Sequence, residues 1–477
     1  MKKWINIFIF PVFLLALNAV LKFLFLDARD VAMDEPFTIY FAQATGHDLF
    51  EMLKTENNPP LFFILLHFWI KLFGISAFSV RFFPCIFSIA TAVVLYFLGG
   101  NFFSFRVGVI ASLLFTFSNY HMLFAHEARV YSLFALLTVI SMYLFCLCLQ
   151  KEKHGKYLFC LSVINALLLY SHFFGAFVIL IQLITILVPG IFRKQLLKHI
   201  PGSIAVTILL YSPYIPVLMH RFIATTGTGT WVEPPVLSDL YTMVWRYSNT
   251  PVTTVFFLIT IVAGLIYQIS RNKPVENSKK NYTIFVWIWF LAPYLMMFLI
   301  SFRIPIFLDR YTVFLSLAFY LLVGISVDKI EKTRGVATGI AIVAIFLMVV
   351  KFNPNVDNKR RWKEVIQNIQ HDKKTETPLI ICPSWLKYGF TYHYSSAYFR
   401  DYTLLDEHLK RDHIYPVDSW NELDSTIFKQ ANKVIYLEEW ATLVDKENSI
   451  LKKLTKGYKT DMTTPIYESF SIHQFSR

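Results

Sequence analysis

Eleven apolar runs, near residues 4–26, 79–99, 107–125, 131–149, 157–173, 174–190, 203–219, 251–269, 283–301, 311–327 and 335–352, leave this chain few folds to choose from. Each has about the length a helix needs to cross a hydrocarbon core of roughly 30 Å. Backbone inside such a layer must satisfy its own hydrogen bonds, so the runs read as an α-helical polytopic membrane protein. A 477-residue chain that is 55% hydrophobic and 17% aromatic fits that class and no soluble one. Two lysines followed by Trp4–Leu26 resemble a signal peptide, but the run is of spanning length and no small-x-small cleavage site precedes Asp27. It reads as an uncleaved first span. Residues 353–477 are polar and mixed, which predicts a membrane domain over 1–352 and a separate soluble domain after it.

The basic residues decide the topology. Lys151, Lys153 and Lys156; Arg193, Lys194 and Lys198; Arg271, Lys273, Lys279 and Lys280; and Lys329, Lys332 and Arg334 sit in short connectors two spans apart. All four connectors therefore face one side, by convention the cytoplasm. Lys2 and Lys3 join them only if an even number of spans lies between residue 3 and residue 151. A further apolar stretch, 60–74, carries His67 and Lys71 and is too short to span comfortably. Counting it gives five spans in that interval and omitting it gives four. It is therefore expected to lie along the outer surface as an interfacial helix within an outer loop 27–78. Eleven spans follow, with the N-terminus cytoplasmic and the C-terminal domain outside, as in a bacterial inner-membrane protein. The net charge of +13 is then an orienting charge, and nucleic acid is not a partner.

In the polar domain, Trp362–Gln370 has helical amphipathic spacing, while Pro378–Cys382 and Lys433–Leu437 read as short buried strands. The prediction is a small α/β domain. The five cysteines give no disulfide framework, and Cys146-x-Cys148 lacks metal-site spacing. No phosphate-binding glycine loop, nucleotide fingerprint or internal repeat is present.

On this topology the ionisable clusters emerge on one face. Asp34-Glu35 lies just past the first span, in Val31-Ala-Met-Asp-Glu-Pro-Phe-Thr-Ile-Tyr40. Either acid caps a helix opened by Pro36, or the pair supplies a general base or a metal ligand. His126-Glu127-Ala-Arg129-Val-Tyr131 ends the third span; on a helix His126 would share a face with Arg129, and Glu127 with Tyr131. Charge at membrane depth is costly unless paired, which marks this cluster for function or for snorkelling. Asn57-Asn58-Pro59-Pro60 launches the interfacial helix. His172 sits where one span returns into the next. Arg310-Tyr311 opens the tenth span, where an arginine either snorkels or binds a lipid phosphate with its planar fork. Acid and cation together are what glycosyl transfer from a lipid phosphate requires: one activates the incoming hydroxyl, the other stabilises the departing phosphate.

At these residues the chain resembles the membrane glycosyltransferases of the C-type fold, in particular the protein O-mannosyltransferase superfamily with its bacterial lipid A aminoarabinose transferases. The resemblance runs in order over about 1–365. It rests on Asp34-Glu35, Asn58-Pro59-Pro60-Leu61 leading to Leu72-Phe-Gly74, Arg81, His126–Tyr131, Leu168–Gly175, Arg310-Tyr311 and Trp362-Lys-Glu. It implies a polyprenyl-phosphate sugar donor, an outward-facing site and inversion at the anomeric carbon. It makes Asp34 the base and lets Glu35 orient it or meet the acceptor. It sets Glu127 and His126 in the polar site, with Asp34 and Glu127 holding any divalent cation, and brings Arg129 and Arg310 to the donor phosphate. Tyr40, Asn58, Pro59, Tyr131, His172 and Tyr311 complete the expected substrate-binding set. The acceptor is a glycan, lipid or protein. A transporter or flippase of lipid-linked glycans, or a silent scaffold of the same fold, are the competing readings. A transporter should carry broken or polar helices at mid-membrane.

Overall fold

The computed structural model describes the chain apart from residues 1–7, 56–57, 151–154, 189–193, 226–232, 271–276, 331–333, 356, 430 and 467–469. Much of the orienting charge (Lys2, Lys3, Lys151, Lys153, Arg193, Arg271, Lys273, Lys332) and Asn57 lie outside the described residues. Two compact units emerge, one made of 1–26, 50–65 and 81–356, the other of 27–49, 66–80 and 357–477. The second unit thus joins two segments of the expected outer loop to the polar C-terminal stretch.

In the first unit every one of the eleven apolar runs carries helix. Ala77–Phe102, Tyr131–Gln150, Lys198–His220, Pro251–Ser270 and Lys280–Ile300 are long and apolar enough to cross a membrane by themselves, and a bent pair makes a sixth. The rest are shorter: Phe10–Phe23 has 14 residues, Gly155–Ser171 17, Gly175–Leu187 13, and Val313–Lys329 and Arg334–Val350 17 each. The runs 157–173 and 174–190 are one apolar stretch folded back on itself, so the turn consumes residues that hydropathy alone assigns to spans. Helix Leu61–Phe73 occupies the stretch expected to be interfacial. Val313–Lys329 is buried from Val313 through Val327, as a helix apolar all round should be. Neighbours approach it at glycine: a Cβ on Gly264 would stand 2.7 Å from the Ser326 Cβ.

The run 107–125 differs from the straight span its hydropathy predicts. It is two helices, Phe105–Thr116 and Asn119–Ala125, meeting at 62°. Ser118 starts the second by accepting a hydrogen bond from His121 N at 3.3 Å. Breaking a helix in the bilayer orphans backbone groups, and Asn249 takes them up. Its Oδ1 accepts from Asn119 N at 2.9 Å, and its Nδ2 donates to Phe117 O at 2.8 Å and to Met348 O at 3.2 Å. Asn249 does this from φ +61, a left-handed conformation that asparagine tolerates better than most residues. Asn249→Leu should lower the thermal unfolding midpoint in detergent, at a cost of about 1–3 kcal/mol for buried groups left unpaired. An unchanged midpoint would remove Asn249 as the clamp.

Polar side chains inside the helices are spent on one another. Ser141 Oγ donates to Asn165 Oδ1 (2.6 Å), Asn165 Nδ2 to Gln182 Oε1 (2.9 Å) and Gln182 Nε2 back to Ser141 Oγ (2.7 Å). This closed ring ties three helices together where no water can.

The second unit holds a five-stranded sheet: β1 (Leu379–Cys382), β2 (Ile414–Pro416), β3 (Lys433–Glu438), β4 (Lys459–Ile466) and β5 (Phe470–Ser476), in the order β2-β1-β3-β5-β4. β1 pairs parallel with β2 and β3, and β5 runs antiparallel between β3 and β4. β1 and β3 are the strands predicted from their apolar runs, and helix Trp362–Asp372 matches the amphipathic stretch. β4 escaped prediction because it is an edge strand with most residues exposed, leaving no apolar alternation to read.

Candidate functional site

In the first unit, the chain leaves helix Asn119–Ala125 at His126 and re-enters helix at Tyr131. Residues 126–130 are a turn, with Arg129 N donating to Glu127 O at 2.6 Å. The helical face-sharing expected of His126 with Arg129, and of Glu127 with Tyr131, therefore does not occur. Ser132 Oγ pins the re-entry by donating to Phe124 O at 2.9 Å. His126 points back into the unit. It is buried, and its Nε2 donates to Lys22 O at 2.9 Å, in the last turn of helix Phe10–Phe23. Those last carbonyls lack partners within their own helix, and His126 supplies one. Arg81, fully buried, donates to Leu26 O at 2.9 Å, three residues past that helix. The two residues thus hold the last turn of the first helix and the chain just beyond it.

Arg129, Tyr131, His172, Tyr311 and Arg310 are brought together. The Arg129 guanidinium lies 6.0 Å from the Tyr131 ring, Tyr131 stands 6.3 Å from His172, His172 5.5 Å from Tyr311, and the Arg310 guanidinium 5.8 Å from the Tyr311 ring. The result is an aromatic row with a permanent cation at each end. His172 is buried, stacked on Phe134 at 4.9 Å, and its Nδ1 accepts from Phe174 N at 3.2 Å, which leaves the proton on Nε2. An Nδ1 that accepts a hydrogen bond carries no proton, so the imidazole is neutral.

Arg310 sits in the short turn Asp309–Tyr311, which Asp309 builds. Its Oδ1 accepts from Arg310 N at 2.7 Å, its Oδ2 from Arg246 Nη1 at 2.9 Å, and its carbonyl from the Tyr120 hydroxyl. Sequence reasoning singled out neither Asp309 nor Arg246. Asp309 carried a signal, an acid directly before the arginine; Arg246 lies 63 positions away and carried none. Asn58 and Pro59 are buried ahead of helix Leu61–Phe73, and Glu127 is half-buried in its turn.

In the second unit, Asp34 occupies the N-cap position of helix Glu35–Phe41, but its side chain makes no capping hydrogen bond. Its carbonyl accepts from Thr38 N at 3.1 Å and from Thr38 Oγ1 at 2.9 Å. The capping alternative does not describe this carboxylate. Glu35 is 1% exposed. Met33, directly before the pair, stands at φ +57 with its side chain exposed. A non-glycine residue there costs on the order of 1 kcal/mol and persists only where its surroundings hold it. Tyr40 faces inward, its hydroxyl donating to Tyr402 O at 2.7 Å and its ring stacked on Tyr402 at 4.8 Å. Among the described residues no three His, Cys, Asp or Glu side chains gather as a metal centre.

A family model described as dolichyl-phosphate-mannose-protein mannosyltransferase matches residues 57–220. No curated protein matches. Among solved structures, ArnT from Cupriavidus metallidurans bound to undecaprenyl phosphate superposes with a TM-score of 0.63 at 12% identity, covering 97% of each chain. The Archaeoglobus fulgidus oligosaccharyltransferase AglB, in complex with an inhibitory peptide and a dolichol-phosphate, gives 0.57 at 10% identity over 91% of this chain and 70% of that one. Over nearly its whole length this multi-pass membrane chain therefore has the fold of the C-type glycosyltransferases, and over 57–220 it carries the sequence pattern of their mannosyltransferase branch.

Proposed function

We propose that this protein is a membrane glycosyltransferase that moves a sugar from a polyprenyl-phosphate donor to an acceptor hydroxyl at the outer face of the membrane. The observation that carries the reading is the pair Arg129 and Arg310 at the two ends of the Tyr131–His172–Tyr311 row. Two guanidiniums held by aromatic rings in a low-dielectric setting suit an anion bound at membrane depth. The fold supports it, since the ArnT structure that it resembles is bound to undecaprenyl phosphate.

In the reaction, Asp34 takes the proton of the acceptor hydroxyl while that oxygen attacks the anomeric carbon. The bond from that carbon to the phosphate oxygen breaks, and its electron pair leaves on the phosphate. Attack opposite the leaving group inverts the centre. Arg129 and Arg310 stabilise the charge gathering on the polyprenyl phosphate, and neutral His172 between them adds no competing charge. Asp34 and Glu127 are the carboxylates that would hold a divalent cation, and no step above is routed through one. EDTA treatment followed by Mg²⁺ or Mn²⁺ re-addition tests that choice.

A carrier of lipid-linked glycans would need a broken helix or mid-span polar groups open to cargo. The break after Thr116 is taken up by Asn249 instead, and Ser141, Asn165 and Gln182 are closed into a ring. The test is transfer itself: membranes holding the protein, given radiolabelled polyprenyl-phosphate sugar and a cell-envelope acceptor fraction, should move label to the acceptor. Label that stays on lipid with every donor and acceptor would overturn the reading.

A further inference from the structure

The segment that bears the acid pair is fastened to the C-terminal part of the chain within the second unit. Helix Trp362–Asp372 has Arg361 at its N-cap, which makes no side-chain capping bond. The missing acceptor comes from 333 positions earlier: Asp30 Oδ2 accepts from Lys363 N at 2.9 Å. Its other oxygen lies 3.3 Å from Lys363 Nζ. The same residue is held from its backbone, as Asn358 Nδ2 donates to Asp30 O at 2.9 Å. The next carbonyl, Val31 O, accepts from His393 Nε2 at 2.8 Å.

Helix Trp362–Asp372 and helix Leu386–Tyr394, which carries His393, pack against each other. The His393 ring lies nearly parallel to Trp362, at 14°. Trp362 is 2% exposed and lies so close to Gly389 that a Cβ there would stand 2.7 Å from its ring. Three residues past Asp30 the backbone turns through the left-handed Met33, and Asp34-Glu35 follow at once. A strained residue needs fixed flanks. On the near side the flanks are Asp30 and Val31, clamped as above; on the far side Glu35 N donates to Ala32 O at 3.2 Å. Further along, Gln43 Nε2 donates to Phe399 O at 3.1 Å and Tyr40 to Tyr402 O, so helix Glu35–Phe41 is moored at its other end too.

We infer that the C-terminal α/β domain is the mount of the acid pair, and that Asp30, by capping helix Trp362–Asp372 from a distant loop, is a positioning residue for the transfer. The inference rests on the reading of Asp34 as base. It gives the domain a task in the chemistry that needs no substrate contact: it sets the position of the Asp34 carboxylate, and geometry at that scale governs rate.

The test uses the full chain in detergent or nanodiscs with radiolabelled polyprenyl-phosphate sugar as donor. Asp30→Ala should lower kcat at least tenfold while the KM for donor stays within about twofold and the thermal midpoint shows a folded protein. Asp30→Asn, which keeps an oxygen for Lys363 N, should recover kcat to within about threefold of wild type. Amide hydrogen exchange over 31–38, which needs no activity, should speed up at least tenfold in Asp30→Ala and stay near wild type in Asp30→Asn. Wild-type kcat and exchange in Asp30→Ala would overturn the inference, as would an Asp30→Asn no better than Asp30→Ala. A fall in kcat matched by an equal fall in folded protein would also overturn it, since Asp30 would then be structural only. Asp34→Asn separates the two levels. If it is inactive while Asp30→Ala is normal, the inference alone fails; if it is fully active, the reading of the acid pair fails and the inference with it.

Discussion

Asp34→Asn is expected to reduce kcat by about 10²–10⁴, the usual contribution of a positioned general base, while donor KM stays within a few-fold of wild type. The amide is isosteric but cannot accept the acceptor's proton at neutral pH. Its fold is expected to be intact, since the amide is the same size and the carbonyl that Thr38 binds is unchanged by the substitution; a thermal midpoint close to wild type checks that. Glu35→Gln is the companion variant. Glu35 is 1% exposed, so its loss should act through the placement of Asp34. Steady-state transfer measured for both variants assigns the base; near-normal turnover in Asp34→Asn with an inactive Glu35→Gln would move it to Glu35.

Arg129→Ala and Arg310→Ala are expected to weaken donor binding by about 10- to 150-fold each, since a charge-assisted hydrogen bond to phosphate contributes about 1.5–3 kcal/mol. Lysine should not restore either site. Each guanidinium rests against a tyrosine, Arg129 on Tyr131 and Arg310 on Tyr311, and a compact ammonium keeps neither the stacking nor the bidentate fork. Because both cations are proposed to meet one phosphate, the double variant should fall short of the summed losses. Competition between labelled and unlabelled polyprenyl phosphate reads these effects without requiring the acceptor. Equal donor affinity in wild type and both alanine variants would place the phosphate elsewhere.

The membrane half of this account was legible because hydropathy and the chemistry of charged groups are local properties of a sequence. Arg129, Tyr131, His172, Arg310 and Tyr311 stood out as polar residues at the ends of apolar runs, and they do come together. What escaped depends on partners far away in the chain. The break after Thr116 needs Asn249, 130 positions from Asn119, and the hydropathy of 107–125 is the same with or without it. His126 looked like its neighbour Arg129, yet it turns to Lys22 O, a backbone acceptor that has no signature. Asp30 carries no local signal, because its partner is a helix start 333 positions further along the chain. The ring cluster that Tyr40 forms with Tyr388 and Tyr402 joins residues about 350 positions apart and leaves no local pattern to read.

The central claim is that the sugar leaves its lipid, with Asp34 as the base. Proteoliposomes bearing the purified protein, loaded with a donor labelled in both the sugar and the polyprenyl phosphate and supplied with an envelope acceptor fraction, measure that step in one turnover. Wild type is expected to release one free polyprenyl phosphate for each sugar found on acceptor, and Asp34→Asn to bind the same donor but release little. Donor that reaches the opposite leaflet with both labels still joined, or release that is equal in wild type and Asp34→Asn, would contradict it.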